Sequence, residues 1–140
     1  MKRIVIDTNV LVAGLLSRNG ASFQLLSSIG KGRFEFAISV PLVLEYEAIC
    51  KRNKHEIGLT SEEIDDVVDY LCREGVRQKI HFLWRPRLKD PKDDMVLELA
   101  VASESDFIVT FNVKDFRGLG EFGIRVTVPK DFLKSVEKQQ

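Results

Sequence analysis

The 140 residues contain no long apolar run. Nothing approaches the roughly 20 consecutive apolar residues that a membrane helix needs. Met1, Lys2 and Arg3 lead straight into Ile4, with none of the apolar stretch of a secretory leader. Together these absences set the expectation of a cytoplasmic protein with no membrane partner. Cysteine is scarce: Cys50 and Cys72 stand 22 positions apart with no CxxC, which excludes a disulfide framework and reads as two free thiols in helical segments. Histidine is scarcer in usable form. His55 and His81 are isolated, so a zinc site of ordinary ligand spacing has little to draw on. No GxxxxGK[ST], HExxH or GxSxG occurs. Gly118–Gly123, GLGEFG, has the letters of a dinucleotide motif, but it precedes an apolar run where the motif should follow one, and so reads as a glycine-rich loop.

An excess of one charge is also missing. Lys plus Arg and Asp plus Glu are 21 each, so net charge points to no class of partner. The distribution is less even. Residues 55–69 hold six acids and no Lys or Arg, while residues 73–92 hold Arg73, Arg77, Lys79, Arg85, Arg87, Lys89 and Lys92 against two acids. A charge run is ordinarily a solvated face; the basic one also suits a phosphodiester backbone.

What is present is an alternation of short β-rich runs and helical patterns. Arg3–Ile6, Phe34–Ser39, Asp106–Thr110 and Ile124–Val128 read as strands, with a weaker run at Lys79–Trp84. Helical patterns cover Ser22–Ile29, Pro41–Arg52, Thr60–Glu74, Met95–Ala102 and Asp131–Lys138. Thr60 and Glu63 have capping-box spacing, and Gly75 ends that helix. Met95–Ala102 is apolar almost all round, the mark of a buried helix. The alternation predicts one domain over residues 1–140, a three-layer α/β/α fold with a mainly parallel central sheet. Ligands of such sheets bind beyond the carboxyl ends of the strands.

Acids gather at those ends. Asp7 follows IVI directly. Glu45 lies about one turn into the helix after the second strand, whereas Glu47 suits an i,i+4 pair with Lys51. In KDPKDDMVLELAVA, Asp90 before Pro91 suits an N-cap. Asp93 shares a helical face with Val96, Leu97 and Ala100 and is the favoured inward acid; Asp94, in line with Glu98, competes with it. In DFIVTFNVKDF, Thr110, Asn112 and Asp115 follow the apolar run, although Asn112 and Asp115 also have capping-box-like spacing. Asp106 precedes its strand and belongs at the opposite edge. Each acid alone is adequately explained by a helix dipole, worth roughly 0.3–1 kcal/mol. Their convergence is not. Two unit charges 4 Å apart repel by about 4 kcal/mol at an effective dielectric of 20. Protons or a hard divalent cation are needed to hold such a cluster, and Mg²⁺ or Mn²⁺ prefers oxygen ligands.

With these motifs the chain resembles the PIN-domain ribonucleases, in particular the branch related to VapC-type toxins of toxin–antitoxin systems. VIDTNVLVAGLLS, SVPLVLEYEAICKR, KDPKDDMVLELAVA, DFIVTFNVKDF and VTVPKDFL carry the resemblance, in that order and over nearly the whole length. By resemblance Asp7, Glu45 and Asp93 take the acidic catalytic and metal-binding positions. Asp115, with Asn112, takes the more variable fourth. Thr8, Asn9 and Thr110 are supporting polar residues. The resemblance implies an endoribonuclease that uses one or two Mg²⁺ or Mn²⁺ ions to hydrolyse single-stranded or looped RNA. It also implies an antitoxin protein partner and a homodimer. Asn112 stands where many relatives have Asp, which bears on how tightly a second ion is held. The basic stretch from Arg73 to Lys92 is then the expected phosphate contact. The alternatives are a Mg-binding phospho-receiver-like module, with Lys130 as its lysine, and a partner-binding α/β module without nuclease activity. The first needs adjacent acids after the first strand, and this chain has Asp7-Thr8-Asn9.

Overall fold

The structure is a computed structural model and describes residues 1–80 and 91–138. Arg3–Ile6 forms β1, and Asp7 caps helix α1 at Thr8–Leu16. Then come α2 (Ala21–Ser27), β2 (Glu35–Ile38), α3 (Val40–Arg52), α4 (Lys54–Ile57), α5 (Ser61–Glu74) and β3 (Val76–Arg77). The chain continues with α6 (Pro91–Ala102), β4 (Phe107–Val109), β5 (Arg125–Thr127) and α7 (Pro129–Lys138). Short 3₁₀ turns at Val113–Phe116 and Leu119–Phe122 fill the β4–β5 connection.

All strand pairings described are parallel, and the order is β3-β2-β1-β4-β5. β1 is central and buried, with Ile4 and Val5 wholly so. The chain steps outward from β1 to β2 and β3, then crosses back to lay β4 on the other side of β1. A sheet of this order has its crevice beside β1, at the carboxyl end, where the direction of winding reverses. α6 packs on β1, β2 and β4. Its Val96, Leu97, Leu99 and Ala100 are fully buried, as the absence of a polar face requires.

The amino edge of the sheet is a closed structural end. Arg3 Nη2 meets Glu35 at 3.0 Å and Nη1 donates to the Ser103 carbonyl at 2.7 Å, while the Arg3 backbone N–H donates to Asp106 at 2.9 Å. Asp106 thus sits at the edge opposite Asp7, as expected. Phe132 of α7 packs edge-on against Phe34 and Phe107, ring centroids 5.5 and 5.2 Å away, and docks the last helix there.

Several expectations change. Among the described residues the fifth strand is Val76–Arg77, immediately after Gly75, and of the expected run Lys79–Trp84 only residues 79–80 are described, outside any strand. Residues 81–84, with Asp90, Arg85, Arg87, Lys89 and His81, lie outside the described residues. Helix α1 occupies Thr8–Leu16, which the apolar run Val10–Val12 concealed by having no helical period. Gly75 ends α5, but at φ −78°, not in the left-handed region. Its smallness matters for space: a Cβ there would meet Leu71 O at 2.9 Å and Ile38 Cγ2 at 3.0 Å. Asn112 precedes the 3₁₀ turn without making a side-chain cap, so Asn112 and Asp115 do not form a capping box.

Candidate active site at the carboxyl edge

β1 ends at Ile6 and β4 at Val109, side by side, and Asp7 N–H donates to Val109 O across the gap. This places Asp7 and Thr110 opposite each other as the strands give way to polar residues. Thr110 Oγ1 donates to Asp7 Oδ2 at 2.7 Å, and Thr8 N–H donates to Oδ1 at 2.8 Å. Each carboxylate oxygen therefore has one partner and keeps a second lone pair. Thr110 is also a hub: Asn112 N–H donates to its hydroxyl at 3.0 Å, and Asn9 Nδ2 approaches it at 3.5 Å. Asn9 Oδ1 in turn accepts from Phe111 N–H at 3.4 Å. The three supporting residues expected from sequence thus form a single network that braces the first acid.

Glu45 joins through Thr8, whose hydroxyl donates to Glu45 Oε2 at 2.9 Å. The neighbouring Tyr46 fixes this arrangement. Its ring is buried, and its hydroxyl donates to Ile6 O, the carbonyl just before Asp7. α3 is thereby tied to the end of β1 with Glu45 one residue away from the tie. Sequence reasoning missed Tyr46; its signal was an aromatic between two acids, Glu45 and Glu47, in the middle of a helix facing the core. Glu47 turns away and pairs with Lys51 at 3.0 Å, as expected.

The first turn of α6 brings in the remaining acids. Lys92 Nζ lies 3.8 Å from Glu45 Oε1, so this turn reaches the same edge. Asp93 and Asp94 are both buried, so burial does not separate them. They differ in their surroundings. Asp94, with Glu98 and Met95, lines a cavity of about 850 Å³ against Ser39, Val40 and Val43 of the β2–α3 junction. Asp115 sits on the 3₁₀ turn after β4, exposed, and Asn112 is exposed as well.

The acids feel one another. Burial pushes the Asp7 carboxyl above its ordinary pKa of 3.8; the hydrogen bonds from Thr110 and Thr8 pull it down, and the charges of Glu45 and Asp115 push it up again. Tyr46 is driven well above 10, first by burial and then by the charges of Asp7 and Glu45. The amino edge supplies Arg3 to its acids. Here Lys92 is one charged partner, at the outer limit of an ion pair with Glu45.

Among the described residues no three His, Cys, Asp or Glu side chains stand close enough to enclose an ion. The donor set nonetheless fits a hard divalent ion. It is made of carboxylate and hydroxyl oxygens, is negative in sum, and contains a buried carboxylate whose ionised form its like-charged neighbours disfavour.

The described members of the basic stretch divide between the two edges. Arg73 is on the last turn of α5, which leads into β3 at the amino edge; its guanidinium lies over the Tyr70 ring, 5.7 Å from the centroid. Tyr70 itself is bonded to Ile29 O ahead of β2. Arg77 and Lys79, at and beyond the end of β3, do reach the cavity at the carboxyl edge.

Comparison with known proteins agrees with this geometry. Residues 3–114 match the sequence profile of the PIN domain. Among solved structures, the crystal structure of VapBC2 from Rickettsia felis, bound to a DNA fragment from its promoter, superposes with a TM-score of 0.62. It is 15% identical and covers 89% of this chain and 98% of that chain; at this identity the likeness is one of fold. No curated protein matches significantly.

Proposed function

The chain belongs to the PIN-domain family, whose members are generally nucleases, and from that premise we propose that it is a divalent-metal-dependent endoribonuclease. The observation that carries the proposal is the Asp7 carboxylate, held at the winding reversal of the sheet by Thr110 and Thr8 and pressed by the charges of Glu45 and Asp115. An acid braced this firmly among like charges costs stability at neutral pH, which suits a residue kept for chemistry.

Asp7, Glu45 and Asp93 are the residues that would hold Mg²⁺ or Mn²⁺, with Asp115 and Asn112 at the outer side. Asp93 is favoured over Asp94 by helical phase, since it shares a face with the buried Val96, Leu97 and Ala100. When bound, the ion supplies Lewis acidity toward water and the phosphodiester. The chain's own residues do the positioning. Thr110 and Thr8 fix both oxygens of Asp7. Thr8 also holds Glu45 at a set distance from Asp7, and Tyr46 anchors the helix that bears it. Burial of Asp7 lowers the local dielectric, so charge placed there acts strongly. Single-stranded or looped RNA is the proposed substrate, since among the described residues the edge is a pocket of short loops with no helix projecting to read a duplex groove.

We further propose a toxin role with an antitoxin partner, homodimerisation, and action in the cytoplasm. Support for the partner comes from the fold likeness to VapBC2.

The test is cleavage of labelled single-stranded RNA by purified protein with MgCl₂, MnCl₂ or EDTA, beside Asp7→Asn. Wild type should cut only with metal, and Asp7→Asn should be slower by about two to three orders of magnitude, the scale of losing a charge-stabilising group. Equal cutting by both, or cutting unaffected by EDTA, overturns the proposal.

A further inference from the structure

An acidic edge repels the phosphodiester it is meant to cut, so affinity for the strand must come from groups other than the acids. Among the described residues seven large hydrophobic side chains are exposed, and four of them, Val40, Leu44, Phe111 and Val113, lie in the segments that follow β2 and β4, on the edge that carries Asp7. Phe111 is the aromatic one of the four, 48% exposed. A single exposed apolar residue needs no explanation. Phe111 differs in how it is held. On one side of it Thr110 N–H donates to Thr127 O at 2.9 Å and the Thr110 hydroxyl donates to Asp7. On the other, Asn112 N–H donates back to Thr110 Oγ1. Its own N–H donates to Asn9 Oδ1. A ring left in water is thus fixed to a backbone that four hydrogen bonds immobilise, one residue from the partner of the central acid. Exposed Lys114 and Arg117 follow within six residues.

We propose that Phe111 is the stacking platform for a nucleobase next to the scissile phosphate of single-stranded RNA. The proposal rests on the ribonuclease reading of the same site. Stacking suits this position because every base has a π-face, so it draws in the strand without charge and without dictating sequence. The rigid backbone lowers the ordering cost of binding. Lys114 and Arg117 supply positive charge for neighbouring phosphates. Phe111 here is a positioning and affinity residue; the reacting atoms belong to the acids.

The test uses a short unstructured RNA that the full-length wild type cuts in Mg²⁺ or Mn²⁺, and versions with an abasic residue at each position flanking the cut. Phe111→Ala should raise KM about tenfold, equivalent to about 1.4 kcal/mol, with kcat within about twofold. Phe111→Trp should keep the wild-type KM, and its indole emission should fall on RNA binding by more than that of Trp84 in wild type. One abasic substitution should cost wild type about tenfold and Phe111→Ala nothing more. An unchanged KM in Phe111→Ala, a fall in kcat with KM unchanged, or equal abasic penalties in both proteins would overturn the stacking proposal while leaving the ribonuclease reading intact. A wild type that cuts no RNA would overturn both.

Discussion

Asp7→Asn should make the metal-free protein more stable, not less. Asn caps a helix as well as Asp does, so α1 keeps its start. Asn keeps Oδ1 as the acceptor for Thr8 N–H, while its Nδ2 only donates, so the Thr110 hydroxyl must turn to accept from it; both bonds are then neutral, at a loss of about 1 kcal/mol each. Against this, removing one charge relieves repulsion from Glu45 and Asp115; like charges about 10 Å apart repel by about 1.7 kcal/mol at an effective dielectric of 20, before screening. These two effects nearly cancel. Burial, the largest cause acting on Asp7, then decides, and it favours the neutral side chain. The linkage has one sign. A folded-state pKa raised above 3.8 means the wild type has its full stability below that value and loses some as the pH climbs through the folded pKa. For a 140-residue chain about 1 kcal/mol corresponds to about 2–4 °C in Tm. Thermal melts in EDTA at pH 7.5 should place Asp7→Asn about 2–4 °C above wild type, and the gap should close near pH 3.5. Saturating Mg²⁺ should reverse the order, since ligand at a hundred times its Kd stabilises wild type by about 2.7 kcal/mol and the variant much less. An Asp7→Asn protein that melts below wild type in EDTA, with the same order in Mg²⁺, would show Asp7 to be a plain helix cap and refute the reasoning.

Tyr46→Phe removes the donor to Ile6 O and should cost about 1–3 kcal/mol in urea denaturation, with a fall in RNA cleavage as Glu45 loses its anchor. Thr110→Val, isosteric but without the hydroxyl, should reduce cleavage more than Thr110→Ser, measured on the same RNA; equal rates would remove the Thr110–Asp7 bond from the mechanism. Gly75→Ala should destabilise by about 1–3 kcal/mol through overpacking against Leu71 O and Ile38, because φ −78° suits alanine and leaves only the clash. Burial pushes the Cys50 thiol up to about 11. Iodoacetamide at pH 8 should therefore label the half-buried Cys72 first, read by mass spectrometry. Stability contributed by un-ionised Cys50 should be lost between pH 9 and about 11, and Cys50→Ala should flatten that slope.

The sheet was legible because its strands are short apolar runs bounded by polar residues, and β1, β2, β4 and β5 form within the expected segments. The capping box of Thr60 and Glu63 is present as read, with reciprocal bonds of 3.1 and 3.0 Å. Val76–Arg77 was not anticipated as a strand because two residues give no period. α1 was missed because VLVAGLL has no polar face: its Val10, Leu11 and Gly14 are all buried, and Gly14 is squeezed so close to α2 that a Cβ would lie 2.4 Å from Leu26 Cδ1. In the site, strand-end acids were visible by position alone. The bonds that join them were not. Thr8 to Glu45 spans 37 residues and Tyr46 to Ile6 spans 40, and no local pattern encodes such pairings. The choice between Asp93 and Asp94 stays a matter of helical phase, since α6 is buried on nearly every side.

The bond between Thr110 and Asp7 bridges 103 positions of chain. A ribosome adding about 5–20 residues per second releases the first partner roughly 5–20 seconds before the second. Through that interval the nascent protein owns its leading acid but no edge for it to belong to, and a polypeptide cut short ahead of β4 never acquires one. Synthesis itself thus delays the assembly of this edge until β4 has been made.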